Sequence, residues 1–401
     1  MRAEALFACG CVAVSAGLCF SPAMVSVGMG LLGASVPAAA FRRSDWATNL
    51  RNPVYAGWML YFALTAASLP MHDEPRLWWD ECRVKLPMLL VPPAFSANRH
   101  LIRKWFLPSL AILLLSATAV NLATLAYYAT HFEYCNALIL ASKPVPLQTT
   151  TRSLSHIYFG VMSAFAVGAG VYLYRKWGGF RGAAAAACAA ICAVCLHVLA
   201  LRTGLMALYG GALAAAALYA RRRGAWRKFV LGVVGAFAAL ALSSAFVPSL
   251  NNRLKNTVED LRAFAGGEDV THRSLSKRLL VWGFAVQIWR EHPLCGVGPG
   301  NVKAAILARY DRSRYRVESS ERIADAHNQF LEAGAGLGAL GFLTLLIIFA
   351  WPLARPLEAT TLFFTTAIVL GAVGESFLER QTGVSFSILF WLFAHHANEK
   401  A

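Results

Sequence analysis

Charge is scarce in this sequence: Asp, Glu, Lys and Arg make up 14% of the 401 residues, while 57% are hydrophobic. That balance excludes an ordinary soluble domain and a disordered chain, both of which carry more charge, and points to a polytopic membrane protein. Acidic residues are the scarcer kind, 21 against 37 Lys and Arg. In the motif-bearing region they form no Asp cluster of the sort that holds a divalent ion. The glycines at 296, 298 and 300 lack the third-glycine spacing and the strand–helix setting of a dinucleotide fingerprint, so a tight turn is the better reading of them. No internal repeat relates the two halves, which a transporter built from repeats would show.

What is present is a series of apolar runs. They begin near Ala5, Met24, Val54, Phe106, Ile157, Ala183, Thr203, Phe229, Gln329, Ala359 and Val384, each bounded by cations, proline or acid. Each is long enough, or nearly so, to cross a bilayer as a helix. Leu86 to Phe95 makes a twelfth, with Pro87, Pro92 and Pro93 predicting a broken or kinked helix or a re-entrant piece. The expected fold is therefore all-α, an integral membrane protein of about twelve transmembrane helices. Its long connection, from about Pro248 to Ala326, is too long for an idle loop in a compact bundle. It divides the chain into a helical bundle at 1–247, a partly helical periplasmic loop at 248–326 and the last helices at 327–401.

The +16 net charge is dealt out loop by loop. Arg42, Arg43 and Arg51, then Arg99, Arg103 and Lys104, then Arg175, Lys176 and Arg181, then Arg221 to Arg223 with Arg227 and Lys228 mark alternate connections. The positive-inside rule makes these cytoplasmic, with both termini inside. A nucleic-acid surface would gather its cations on one face, so no nucleic-acid partner is expected. Arg2 with the following apolar run resembles a signal peptide, but Phe7 is bulky where a small residue is wanted and a second apolar run follows at once, so a span is the better reading.

Cys188, Cys192, Cys195 and His197 have near-helical spacing amid alanines, which favours close helix packing over a metal site. Cys82, Cys135 and Cys295 fall on the expected periplasmic side, where a disulfide is chemically allowed but no pair is singled out. In the long connection, Leu279, Leu280, Trp282, Phe284, Ile288 and Trp289 give a helix with an apolar face, expected to lie at the membrane interface. His197, Arg202, Glu332 and Glu375 sit toward one leaflet on this topology. Ionisable groups in spans usually face a cavity or a partner, so their common level points to a site open to the periplasm. For Arg202 a snorkelling side chain is an equal alternative, and for the two glutamates helix–helix hydrogen bonding is the commoner role.

The order of polar features resembles the O-antigen ligase family. Arg202 stands at a helix junction, Arg278 in the large loop, then come His292-Pro293-Leu294-Cys295-Gly296-Val297-Gly298, and then His327-Asn328 with nine residues before Gly338-Ala339-Leu340-Gly341. The family's first arginine is often followed four residues later by leucine, where Met206 stands here. The resemblance implies a GT-C-like membrane enzyme in the bacterial inner membrane with its active site facing the periplasm, and the missing Asp cluster predicts that it works without a metal; no cofactor is expected. The resemblance also implies transfer of a glycan from undecaprenyl pyrophosphate to a hydroxyl of lipid A-core, so its partners are that donor, that acceptor and membrane lipid. His327 would be the general base, since an imidazole is the usual base for a weak hydroxyl nucleophile. Arg202 and Arg278 would meet the charge of the pyrophosphate. The choice of Arg278 over its neighbours Arg273 and Lys277 rests on the family pattern. Arg152, Asn328 and Gln381 are further possible substrate contacts. The same motif occurs in O-antigen polymerases and bacterial O-linked protein oligosaccharyltransferases, which differ in acceptor, and a lipid-linked glycan transporter is the reading from another class.

Overall fold

The structure is a computed structural model that describes residues 2–40, 50–72, 74–140, 143, 145–150, 154–235, 258–267, 269–351 and 358–397. Among these residues it is helical throughout, with no strand. Seven helices are long and apolar enough to cross a membrane: α1 (Arg2–Phe20), α2 (Pro22–Ala40), α6 (Arg99–Thr130), α8 (His156–Trp177), α9 (Gly179–Val198), α10 (Arg202–Arg222) and α13 (Gln329–Ala350). Four more of the apolar runs form shorter helices: α3 (Pro53–Ala67), α5 (Pro87–Ala97), α14 (Ala359–Gly374) and α15 (Gln381–Ala397). The run beginning near Phe229 is helical over 226–235 and then leaves the described residues.

The expected proline-broken twelfth span is an 11-residue helix, α5, with Pro92 and Pro93 inside it and most of its side chains buried. At about 1.5 Å per residue it reaches only about half of the hydrocarbon thickness. It ends at buried Asn98, whose side-chain amide donates to Ala94 O at 3.0 Å and to Ser35 Oγ at 3.1 Å. α4 (Pro75–Lys85), ahead of it, is amphipathic, with Trp79 exposed. α7 (Phe132–Leu140) follows α6.

The chain forms two compact units, Met1–Ala63 with Glu81–Ala214 and Thr344–Ala401, and Leu64–Asp80 with Ala215–Leu343. In the first, small residues let helices close on one another without a polar seam. α8 meets α9 where a Cβ on Gly170 would lie 2.6 Å from Ala189 Cβ, the packing expected of the alanine-rich stretch. Cys192 and Cys195 are buried in this region, and all nine cysteines are free thiols. His197 is exposed, its ring nitrogens 2.7 Å from Ala193 O and 2.6 Å from the Tyr209 hydroxyl. Aromatic rings fill the interior, with Phe165 stacked on Phe364 at 4.2 Å and edge-on to Phe386 at 5.2 Å.

The second unit is built around α11 (Ser274–Glu291) and α12 (Val302–Tyr310). Leu280, Phe284 and Ile288 were expected to form an interfacial face, but they are buried against Val302, Ile306 and Tyr310. The apolar face is covered by protein because the chain returns through α12. Trp282 and Trp289 remain half-buried. Polar ties close the loops: Lys277 Nζ lies 2.6 Å from Glu321, and the Tyr315 hydroxyl donates to Phe264 O at 2.8 Å.

Candidate functional site

The second unit brings the two motifs of the sequence together. α13 is broken at Gly338, whose φ of 64° and ψ of −154° leave the helix. A break strands carbonyls at the end of one half and amides at the start of the next, and inside a membrane protein these must find partners. The Pro293–Gly298 segment supplies them. Val297 N donates to Ala335 O and Gly298 N to Gly336 O, both at 2.9 Å, while Ala339 N donates to Pro293 O at 2.8 Å. Gly296 and Gly338 are required for the approach. A Cβ on Gly296 would stand 2.4 Å from Gly336 C, and one on Gly338 2.3 Å from Leu294 C and O. Replacing Gly338 with alanine combines that clash with a left-handed backbone. It is expected to destabilise the protein by about 2 kcal/mol or more, read as a fall in melting temperature of the detergent-solubilised protein, and an unchanged melt would refute this account of the break.

His327 precedes the first half of this helix, which opens at Gln329. Asn328 is the capping residue, its Oδ1 accepting from Phe330 N at 3.0 Å and Leu331 N at 3.2 Å. Glu332 reaches back to accept from Ala326 N at 2.8 Å. Together they satisfy amides at the helix entry and fix the path of the chain through His327. The cap needs the chain to turn at His327, which adopts φ of 47°. Among the described residues it and Ala200 (φ 48°) are the only non-glycines with a left-handed backbone. Such strain persists where the surroundings over-determine it and gathers at functional positions. The imidazole itself is half-buried. Asp325, two residues earlier, faces Lys303 at 3.6 Å.

Arg278 lies on α11 in the same unit and is half-buried. Of the three neighbouring cations, Lys277 is held by Glu321 and Arg273 lies 3.9 Å from Asp260. Arg202 and Gln381 belong to the first unit. Arg202 is exposed and opens α10, just after the left-handed Ala200. Gln381 opens α15 and donates to Ser26 Oγ at 2.9 Å, at the edge of a cavity of about 490 Å³ that Arg83, Leu86 and Leu90 also line. Arg152 lies outside the described residues.

Glu332, a candidate for helix–helix hydrogen bonding, accepts from the amide of Ala326, the residue before His327. The signal was present, since Asn328 before an apolar run is a helix-start pattern with a carboxylate in the first turn. Glu375 is buried just beyond the end of α14.

The second unit carries an imidazole on a strained turn and, on α11, the permanent cation of Arg278. Base and fixed positive charge are what a hydroxyl nucleophile and an anionic leaving group require. No curated protein matches the chain. A family model does match, the one described as O-antigen ligase, over residues 187–346. That span holds Arg202, Arg278, the Pro293–Gly298 segment, His327 and the broken helix through Gly338, and over it the chain is similar to the O-antigen ligase family.

Proposed function

We propose that this protein is a glycosyltransferase that ligates O-antigen polysaccharide from undecaprenyl pyrophosphate onto lipid A-core at the periplasmic face of the bacterial inner membrane. The observation that carries this is His327. It sits on a left-handed turn, capped by Asn328 and Glu332, at the head of a helix whose break is filled by the other family motif. The proposed topology has about twelve spans, with the connection around 248–326 in the periplasm.

In the reaction, the acceptor hydroxyl oxygen attacks the anomeric carbon of the donor glycan while His327 takes the hydroxyl proton. The new glycosidic bond forms as the bond from that carbon to the pyrophosphate oxygen breaks, and undecaprenyl pyrophosphate leaves with the electron pair. Arg278 and Arg202 are assigned to the charge on that pyrophosphate, since guanidinium forks match phosphate oxygens. A single displacement inverts the anomeric centre and needs no covalent intermediate. Nothing in this sequence of steps calls for a metal ion.

The test is transfer by purified protein in lipid, supplied with undecaprenyl pyrophosphate-linked O-polysaccharide and lipid A-core in EDTA. A glycan ladder on lipid A-core, with inverted linkage configuration by NMR, is expected. Loss in EDTA restored by magnesium or manganese would overturn metal independence, and a retained configuration would overturn single displacement. Lengthening of the donor, or glycan on a protein, would make this a polymerase or a protein oligosaccharyltransferase. No transfer to any acceptor would favour a transporter.

A further inference from the structure

The family match begins at residue 187, yet a histidine more than a hundred residues earlier takes part in the broken-helix assembly. We propose that His72 is a positioning residue for the segment that fills the break in α13, and through that helix for His327. This rests on the transfer reading above.

His72 follows α3 and a short 3-10 turn, Leu69–Met71, and is buried. Its Nδ1 lies 2.8 Å from Ser68 O, a carbonyl that can only accept, so Nδ1 carries the hydrogen. Its Nε2 accepts the amide of Gly300 at 3.0 Å. One ring therefore donates on one edge and accepts on the other, which a neutral imidazole with this tautomer does. The turn is shaped around the ring. A Cβ on Gly298 or on Gly300 would stand 2.9 Å from its carbons. Asn301 fastens the same join from the other side, donating to Met71 O at 2.7 Å and to Val297 O at 3.0 Å.

From this anchor the path to His327 is continuous. The turn that His72 and Asn301 hold contains Val297 and Gly298, whose amides cap Ala335 and Gly336. Those carbonyls end the first half of α13, a rod of about nine residues and so about 13 Å long. The rod's other end is the Asn328 cap beside His327. A rod fixed at one end only can tilt or slide, and a catalytic group displaced by about 1 Å can lose about a hundredfold in rate. His72 touches no reacting atom in this scheme; it fixes where the base stands.

The experiment compares wild type, His72→Leu, His72→Gln and Asn301→Ala in lipid nanodiscs, by hydrogen exchange and by transfer kinetics. In His72→Leu, exchange at 297–300 and at 326–331 is expected to rise about tenfold or more. Its kcat should fall between about 10-fold and 100-fold, with donor KM changed less than about threefold. The Gln amide can accept from Gly300 and donate to Ser68, so His72→Gln should recover both readouts. Should His72→Leu not fold, Asn301→Ala is expected to show the same two changes. Unchanged exchange, faster exchange at 297–300 with kcat intact, or no recovery by Gln would each overturn the proposal. Should wild type transfer no glycan, the transfer reading falls, and exchange at 326–331 alone decides whether His72 holds the helix entry.

Discussion

Replacing His327 with alanine is expected to remove the proposed glycan transfer to lipid A-core, with kcat falling by about 10² to 10⁴ and the fold intact. The size follows from the role: a positioned general base contributes about that much when the nucleophile is a hydroxyl. The fold is expected to survive because the two groups that bond the amides of the helix entry belong to other residues. Asn328 Oδ1 and the Glu332 carboxylate hold the helix entry, and alanine leaves both in place. The left-handed φ of 47° at this position is tolerated by glycine at no steric expense. His327→Gly should therefore be at least as stable as His327→Ala and equally inactive. That pairing separates chemistry from folding. Activity within about threefold of wild type in either variant would remove His327 as the base, whatever the melting temperatures show.

The largest stability effect is expected at Lys85. Its side chain is wholly buried at the end of α4, bonded to Glu81 one turn earlier and to Glu379 Oε2 at 2.7 Å. Burial works against the ammonium charge, but the two carboxylates outweigh it and hold Lys85 above the ordinary lysine range. For Glu81 burial dominates, and its carboxyl is raised despite the lysine, with Glu379 adding to the shift. Lys85→Met deletes the cation and leaves two carboxylates facing each other with little water. Breaking a buried pair in this way costs about 3 to 5 kcal/mol.

The variant's loss should depend on pH in a defined direction. A carboxyl with a raised folded pKa binds its proton more tightly folded than unfolded. Its stabilising contribution is present at low pH and disappears as pH rises through that value. Lys85→Met should thus melt much lower than wild type at pH 8 and closer to it at pH 5. An equal deficit at both values would refute this account of the triad. Adding Glu379→Gln should recover part of the loss at pH 8, because one of the two unpaired charges is then gone.

Neither the triad nor the His72 anchor was legible in the sequence. Glu379 joins Lys85 across 294 positions and Gly300 joins His72 across 228. Sequence periodicity reports neighbours three and four residues apart on one helix. It carries no address for a partner on another helix. The apolar helices worsen this, since a segment hydrophobic on every side offers no stripe to say which face meets protein and which meets lipid. The face of α11 shows the opposite failure. Its apolar stripe at Leu280, Phe284 and Ile288 was visible, but whether lipid or α12 covers it depends on the return of the chain.

The sequence by itself determined the class of this protein and the residues proposed to carry its chemistry. Scarce charge and long apolar runs leave only a helical membrane protein, because a backbone in hydrocarbon must satisfy its own hydrogen bonds. The spacing from His327 to Gly338 and Gly341 was legible as a motif in the sequence. Only the tertiary structure decided why that spacing exists. Gly338 breaks the helix, and the Pro293–Gly298 segment, more than forty residues back from its end, fills the gap. It also decided that His327 stands on a strained turn outside the helix. The hydrogen bonds left open by a break are local, but the groups that close them come from wherever the folded chain passes.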